Sequence, residues 1–348
     1  MSEASLLFSV VVPSRGEEAK LLTLLEALAR QSLPHERFEV IVALDGADAA
    51  PAVDAKLEAL GGRADVAPAV AARPEVLQVR IVTLERRAGP GAARNRGAAL
   101  ARGTFLAFTE DDVTPEADWL QRAAERLERE PALDVLEGLT VKPGGRPVHR
   151  QAQDQPLFLP TNLFVRRAVF EAAGGYDERF FDAKSGVYFR EDADLGFTLE
   201  DRGARVAREP GAVVTHPEEH ARFLDPLRWA RRHEMDPLLA AKHPALFRTR
   251  VEVHRLGPLR VRRPIVRASV GCVLAVGVAL VAAVAGARGA VVPLLAVAGA
   301  AFLPVWAKWR FSPLRLPVVL LVPFALTLAL VRGRVRVQRL LSGRLPTT

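Results

Sequence analysis

Three successive carboxylates, Glu110, Asp111 and Asp112, follow the apolar run 105–109. Negative charge concentrated at the end of a strand is unfavourable unless a positive group compensates it, and ligands of open α/β sheets bind at that edge. Mg²⁺ and Mn²⁺ take oxygen ligands of this kind, usually one or two carboxylates together with substrate phosphates. The pattern therefore predicts a divalent-metal site that holds a phosphorylated ligand. The alternative is a plain helix N-terminus, because the Thr-Pro pair that follows also favours a helix start with acids before it.

Residues farther along the chain offer a base and a further metal ligand. Glu191, Asp192 and Asp194 stand at the start of a predicted helix, 191–203. A carboxylate within reach of a hydroxyl acts as a general base when its surroundings keep it ionised. Capping of the helix by these acids is the alternative. His216, after a β-rich run, is either a metal ligand or an ordinary loop histidine.

The glycine-rich stretch 89–97 is predicted to be a turn that comes close to a diphosphate, with Arg94 and Arg96 beside it. It is not a dinucleotide-binding fingerprint, because Arg94 stands where the third small residue belongs and the turn follows the third strand instead of the first. A plain connection between a strand and a helix is the alternative interpretation.

Alternating strands and helices over about the first 220 residues must position these groups, which is typical of βαβ units around a largely parallel sheet. The β-rich runs are 6–13, 38–44, 79–84, 104–109 and 135–141. Helical patterns cover 21–28, the end of the 89–103 stretch, 115–130 and 225–243. The segment 47–78 is rich in Ala, Pro and Gly, and we expect it to be a peripheral excursion.

Basic residues are unevenly distributed along the chain. No Asp or Glu occurs from residue 260 onward, where 13 of the 48 Lys and Arg lie, so the first 259 residues carry 35 basic against 40 acidic side chains. A nucleic-acid-binding protein carries its positive charge on the folded domain, whereas this excess lies beside apolar stretches. We therefore expect membrane lipids as partners and no nucleic acid. The single cysteine, Cys272, excludes an intrachain disulfide and suits a cytoplasmic domain.

Three apolar segments, 268–286, 290–307 and 314–331, approach the ~20 residues that a membrane-spanning helix needs. Basic residues precede the first segment and follow the second, so the positive-inside rule predicts a hairpin of two crossings with the N-terminal domain in the cytoplasm. A third crossing would place the C-terminal arginines outside, and both two and three crossings stay open. We expect a multi-pass protein of the inner, cytoplasmic membrane.

Over residues 9–217 these pieces together resemble the inverting family 2 glycosyltransferases of the GT-A fold. The stretches that carry the resemblance are 10–14, 42–46, 91–97, 110–112, 162–167, 170–178 and 191–192. The fold so implied is α/β, with a mostly parallel sheet flanked by helices and followed by an α-helical transmembrane region. Its predicted boundaries are 1–222 for the glycosyltransferase domain, 223–263 for an interfacial helical linker and 264–348 for the transmembrane region.

The resemblance also implies roles for individual residues. Donor binding is implied for Pro13, Glu17, Asp45, Arg94, Glu110 and Asp111. A divalent metal, Mg²⁺ or Mn²⁺, is implied at Asp112 and His216. Acceptor binding is implied for Asn162, Gly175, Tyr176 and Glu191. Asp192 is then the general base that deprotonates the acceptor hydroxyl, which attacks the anomeric carbon opposite the leaving diphosphate and inverts its configuration.

The function implied is transfer of a sugar from a nucleotide-diphosphate donor to a hydroxyl of a lipid-linked or membrane-proximal glycan. The chain departs from the family pattern at Glu110, where aspartate is more usual, and at Gly16, where many members have asparagine. It lacks the Gln-x-x-Arg-Trp sequence of processive synthases, which favours single additions. The alternatives are a non-catalytic membrane scaffold that binds sugar nucleotides and a sugar nucleotidyltransferase. The latter usually needs a glycine-rich loop right after the first strand, and 13–20 has one glycine.

Overall fold

The computed structural model describes residues 6–46, 77–148, 158–218, 221–256 and 259–342. The chain divides into two compact units. The first unit comprises Met1–Gly186 and Glu191–Glu219, and the second comprises Val187–Arg190 and His220–Thr348. The predicted excursion over 47–78 lies outside the described residues except for its last two positions.

The first unit is built on a nine-stranded mixed sheet in the order β3-β2-β1-β4-β8-β6-β11-β5, with β7 paired to β6. The strands of this sheet are β1 (Phe8–Ser14), β2 (Phe38–Leu44), β3 (Val79–Thr83), β4 (Phe105–Phe108), β5 (Thr114–Pro115), β6 (Val135–Lys142), β7 (Arg146–Pro147), β8 (Leu163–Arg166) and β11 (Val206–Thr215). The two-residue strand β9 (Phe181–Asp182) lies outside it. Strands β3, β2, β1 and β4 are parallel, and β8 runs antiparallel to both β4 and β6. The predicted α/β class with a mostly parallel sheet flanked by helices is confirmed.

Helices cover the sheet on both faces, which explains why its central strands are mostly apolar. All seven residues of β2 are buried, as expected for a parallel strand with both faces covered. The helices of this unit are α1 (Glu18–Ala29), α2 (Gly89–Ala99), α3 (Trp119–Arg129), α4 (Arg167–Ala173) and α5 (Glu191–Asp201). The largest core cluster includes Phe8, Phe164 and Trp119. The ring centroid of Phe164 lies 5.4 Å from that of Phe8 and 5.3 Å from that of Trp119.

The predicted turn over 89–97 is wrong. These residues form most of α2, which begins at Gly89. Gly97 faces β1 so closely that a Cβ on it would lie 2.6 Å from Val11, and a Cβ on Gly91 would lie 3.3 Å from that of Tyr176. These two small residues therefore permit close packing of α2 against its neighbours.

One sheet edge gathers the chemistry-bearing residues. Strands β4 and β11 end at the same edge, because β6 is parallel to β11 and antiparallel to the strand β8 that separates it from β4. After β4 the chain crosses this edge to β5, where Thr114 pairs with Thr215 of β11. This antiparallel pairing brings the segment 110–112 next to the residue that follows β11.

The second unit is mainly helical. Its elements are β10 (Val187–Tyr188), α6 (Asp225–Arg232), α7 (Asp236–Lys242), β12 (Val253–Leu256), β13 (Leu259–Arg262), α8 (Pro264–Val284), α9 (Arg288–Lys308) and α10 (Val322–Leu341). The single helix predicted over 225–243 is interrupted by a 3₁₀ turn at His233–Met235. The antiparallel pair β12–β13 was not predicted, since 223–263 was expected to be helical throughout.

Three helical spans of this unit are long and apolar enough to cross a membrane, namely Pro264–Val284, Arg288–Lys308 and Pro313–Leu341. Asp236, which is 1% exposed, connects several residues near the start of the first of these spans. Its carboxylate accepts hydrogen bonds from His233 at 2.7 Å, from Arg190 at 2.8 Å and from Arg263. Burial opposes ionisation, yet these three partners hold the pKa of Asp236 below its ordinary value.

Candidate functional site

Glu110, Asp112 and His216 form a group of potential metal ligands at the edge where β4 and β11 end. One ligand atom from each lies within 4.8 Å of the others. His216 Nε2 is 3.8 Å from a Glu110 oxygen and 4.0 Å from Asp112 Oδ1. All three side chains are partly exposed, so a ligand from solution has access to them.

The imidazole of His216 is oriented as a metal ligand needs to be. Its Nδ1 lies 2.9 Å from the carbonyl oxygen of Pro217. That carbonyl can only accept a hydrogen bond, so Nδ1 carries the proton and donates it. The other ring nitrogen, Nε2, faces Glu110 and Asp112. A backbone carbonyl that fixes the tautomer in this way is a common partner of metal-bound histidine.

Glu110 is held in place by two donors, one on each carboxylate oxygen. Thr161 donates to one at 2.9 Å, and Arg94 Nη2 approaches the other at 3.4 Å. Arg94 is 2% exposed, and its Nε and Nη1 have no hydrogen-bond partner among the described residues. A buried guanidinium with free donors beneath the edge provides positive charge to an anionic ligand.

The middle acid, Asp111, points away from the metal-ligand group. Ser14, at the end of β1, donates a short hydrogen bond to its carboxylate and also accepts from the backbone of Gly16 at 3.1 Å. Burial raises the pKa of Asp111, the Ser14 hydrogen bond opposes this, and the charge of Asp112 adds to it. The three neighbouring acids therefore occupy different environments.

The other residues for which donor binding was implied stand at the ends of β1 and β2. Asp45, 4% exposed, accepts from the backbone of Ala88 at 2.7 Å and of Gly89 at 3.2 Å, so it caps the start of α2. Pro13 is partly exposed within β1, and Glu17 is exposed and paired with Lys20 at 2.6 Å. Donor binding by these three residues stays a prediction.

Glu191 and Asp192 open α5, as the sequence predicted, and differ in burial. Glu191 is 8% exposed. Burial, followed by the charge of Asp192, raises the pKa of Glu191 to about 7, although Arg94 acts in the opposite direction. Asp192 is more exposed, and one of its oxygens accepts from the backbone of Ala193 at 2.7 Å. Among the described residues nothing is bonded to its second oxygen, which is free for a substrate proton.

Three residues for which acceptor contact was implied lie inside the fold. Asn162 is 1% exposed, and its amide accepts from Trp119 and donates to the carbonyl oxygens of Leu139 and Ala212. Tyr176 is 2% exposed, and burial raises its pKa. Its ring lies 5.4 Å from Arg94, and its hydroxyl has no partner among the described residues.

Gly175 adopts a φ of +71°, and a Cβ there would lie 2.6 Å from the side-chain oxygen of Asn95. The geometry gives Gly175, Asn162 and Tyr176 a supporting role beneath the site. Direct acceptor contact by any of them stays an untested prediction that this burial does not favour.

Two residues that hold the acids were not predicted. Ser14 orients Asp111, and Thr161 orients Glu110. The position of Ser14 at the end of the first strand was a usable signal, because the ends of parallel strands meet at one edge. For Thr161 the sequence offers no such signal. Because β8 runs antiparallel to β4, the chain just before β8, which includes Thr161, lies at that edge.

The residues present fit a hard divalent cation. Two carboxylates and one neutral imidazole are ligands that Mg²⁺ or Mn²⁺ accepts, and the open side leaves positions for substrate oxygens. The neighbouring Arg94 and the uncompensated burial of Glu191 indicate a site built for further charge.

Comparison with known proteins shows what the chain is similar to. The mannosyltransferase PcManGT from Pyrobaculum calidifontis, solved with GDP-Man and Mn²⁺, has a TM-score of 0.53 to this chain at 17% identity, covering 94% of this chain and 86% of that one. At that identity the likeness shows the fold alone. The pre-mycofactocin glycosyltransferase of Mycobacterium tuberculosis is 30% identical over 147 residues, 37% of this chain and 30% of that protein.

The N-acetylglucosaminyl-diphospho-decaprenol L-rhamnosyltransferase of the same organism is 32% identical over 122 residues, 33% of this chain and 38% of that protein. The chain thus spans about a third of the length of these two curated relatives. The family model of glycosyl transferase family 2 matches residues 9–194, which is more than half of the chain. The match includes the acids within 110–112 and 191–194 and ends before β11 and His216. The chain belongs to glycosyl transferase family 2.

Proposed function

We propose that this protein transfers a sugar from a nucleotide-diphosphate donor to a hydroxyl of a lipid-linked or membrane-proximal glycan, with inversion at the anomeric carbon and with a divalent metal. The observation that carries the proposal is the group Glu110, Asp112 and His216, in which the tautomer of the histidine leaves Nε2 facing two carboxylates. Arg94 approaches only one oxygen of Glu110, so the set still carries carboxylate oxygens suited to a cation that bridges to phosphate.

The residues of the site have different roles in the proposed reaction. A cation held by Asp112, His216 and Glu110 would stabilise the charge that develops on the leaving diphosphate. Arg94 adds fixed positive charge beneath the same edge. Asp192 keeps one carboxylate oxygen free of protein donors and takes the proton of the acceptor hydroxyl.

A lipid-linked acceptor is supported by two observations. Three apolar helical spans provide a membrane attachment. One curated relative carries a decaprenol-linked sugar diphosphate in its name. Basic residues on the loops next to α8 and α9 support a cytoplasmic position of the first unit at the cytoplasmic membrane.

The test of the donor site is ligand binding by the full chain in detergent. UDP, GDP and dTDP are each titrated with and without Mn²⁺, and the apparent unfolding temperature is read, because a ligand that binds the folded state raises it. We expect one nucleotide to stabilise the protein only when the metal is present. Equal shifts with and without Mn²⁺ would contradict the metal assignment, and no shift with any nucleotide in folded protein would contradict the donor class.

Asp112→Ala sharpens the test. Loss of a charged metal ligand is expected to remove the Mn²⁺-dependent part of the shift, a weakening of nucleotide affinity of about tenfold or more. Asp118→Ala is the matched control, because Asp118 is an exposed acid paired with Arg122. Retention of the Mn²⁺-dependent shift in Asp112→Ala would remove Asp112 from the site. Slow hydrolysis of a nucleotide sugar by the unmodified protein would contradict the scaffold alternative.

A further inference from the structure

The third apolar span is packed differently from the other two. In its most apolar window 39% is buried within the protein, against 22% for α8 and 11% for α9. A spanning helix that follows a two-helix hairpin is expected to share its packing with that hairpin. α10 does contact α8, but most of its contacts lie with the segment that precedes the hairpin, from α6 to α7.

Successive contacts along α10 are made with successive residues of the segment from α6 to α7. Val322 and Leu326, in the first part of α10, belong to one apolar cluster with Leu227 and Ala230 of α6. Farther along α10, a Cβ on Gly333 would lie 2.2 Å from the backbone oxygen of Glu234. Beyond it, Arg336 lies 3.8 Å from the sulfur of Met235. From 322 to 336, about 21 Å at 1.5 Å per residue, α10 therefore runs alongside 227–237.

The partner segment 227–237 cannot lie in the hydrocarbon core. Arg228, Arg231 and Arg232 are exposed on it. It also holds the buried carboxylate of Asp236 with its ion partners. Side chains of this kind are costly within lipid and stay at the aqueous boundary. A helix that follows this segment over its length stays at the same boundary.

The hairpin of α8 and α9 starts and ends at that boundary too. Arg263, the residue before α8, is bonded to Asp236. Ile265 and Val266 at the start of α8, and Val305 and Trp306 near the end of α9, belong to the same apolar cluster as Ala230. The chain therefore leaves the aqueous boundary in α8, returns to it in α9 and then enters α10.

The free face of α10 has the pattern of an interfacial helix. Its exposed apolar side chains recur every three or four residues at Phe324, Leu328, Val331 and Val335. They lie opposite the face that is packed on α6 and α7, and exposed arginines flank them at Arg332, Arg334 and Arg339. An apolar stripe bordered by arginines fits the boundary between acyl chains and phosphate headgroups.

We propose that α10 lies in the plane of the membrane interface beside α6 and does not cross, so that the chain crosses the bilayer twice. Its apolar stripe enters the acyl boundary, and its arginines lie at the phosphates of a phospholipid surface. This inference rests on the membrane location in the proposed function, but not on the donor or the reaction. It keeps the C-terminal arginines on the same side as α6.

The side on which α10 ends is tested by cysteine labelling of the full chain in oriented membrane vesicles. Cys272, the single cysteine, is replaced by Ala, and one cysteine is introduced at a time as Arg228→Cys, Ala287→Cys or Ser342→Cys. A membrane-impermeant maleimide is expected to label 228 and 342 from one side and 287 only from the other. Labelling of 342 together with 287 would overturn the inference. Labelling of 287 together with 228 would also overturn it. The nucleotide-binding experiment tests the donor site separately, so failure of the two proposals can be distinguished.

The orientation of α10 is tested by the depth of spin labels in phospholipid vesicles. Leu328→Cys and Val335→Cys are seven residues apart on the exposed stripe, and Leu274→Cys and Val281→Cys form a matched, equally spaced pair of exposed positions on α8. In a spanning helix such a pair differs in depth by about 10 Å. We expect that difference on α8 and nearly equal depths on α10. A difference of about 10 Å on α10 would overturn the inference.

Discussion

Two buried acids of this protein, Glu191 in the first unit and Asp236 in the second, meet opposite electrostatic conditions. Asp236 has three cationic or proton-donating partners, and the pKa of its carboxyl is held below its ordinary value. Burial and the like charge of Asp192 raise the pKa of Glu191 to about 7, and neither Arg94 nor a backbone hydrogen bond offsets them. Burial is nearly the same in both.

The difference separates a structural acid from a functional one. Where partners saturate a buried carboxylate, its charge serves to hold elements together and nothing is left for a ligand. Where the charge of a buried acid is less fully offset, as at Glu191 beside Asp192, the site can take up a cation or a proton. Substitutions in the saturated cluster should therefore cost stability, and substitutions in the open cluster should cost activity.

The largest effect is expected from Asp192→Asn. Without its base the enzyme should lose about 10²- to 10⁴-fold in turnover, while metal-dependent nucleotide binding and the unfolding temperature stay nearly unchanged. Initial rates of sugar transfer and thermal shifts measure the two sides of this comparison. Asp201→Asn, an exposed acid at the other end of α5, is the control. Turnover that survives in Asp192→Asn would remove the residue from the reaction.

Asp236→Asn should do the reverse. It leaves Arg190, Arg263 and His233 without their common anion, and removing one partner from a buried ion cluster costs about 3 to 5 kcal/mol of unfolding free energy. Denaturant unfolding in detergent measures it. Asp225→Asn, in an exposed pair with Arg228, should cost less than about 1 kcal/mol. A loss of turnover with unchanged stability in Asp236→Asn would contradict a structural role of Asp236.

The pH dependence of unfolding should identify Glu191. Its pKa is about 7 in the folded protein against 4.5 for an ordinary glutamate, so the folded state binds the extra proton and stability falls as pH rises from 4.5 to 7. The fall should be on the order of 3 kcal/mol in the absence of metal and nucleotide. Glu191→Gln should flatten this part of the curve. Parallel curves for the two proteins would show that Glu191 ionises normally.

The smallest effect is expected from Ser14→Ala. The variant loses the hydrogen bond to ionised Asp111 and should be destabilised by about 1 to 2 kcal/mol at pH 7. Because the hydroxyl favours the ionised carboxyl, the effect should shrink in acid, where Asp111 is protonated. Unfolding curves of both proteins at pH 7 and at pH 4 measure this. An equal loss at both values would contradict a charge-assisted bond.

Much of the fold followed from apolar patterns. The runs 38–44 and 104–109 predicted strands correctly, since a strand buried on both faces is mostly apolar. The glycine-rich stretch 89–97 misled the prediction, because glycines that permit a close turn are the same residues that permit close packing of a helix. The β12–β13 pair was not predicted because each of its strands has only four residues, which is too short for a clear pattern.

By itself the sequence determined the family, the acids at the end of β4, the acids at the start of α5 and the apolar helices, because each depends on local order of residues. Only the tertiary structure decided that His216 meets Glu110 and Asp112, and that Asn162 and Tyr176 support the site from below. It likewise decided that α10 packs along α6 and α7. Such distances depend on strand order, on the pairing of Thr114 with Thr215 and on helix packing, none of which is encoded in the spacing of residues along the chain.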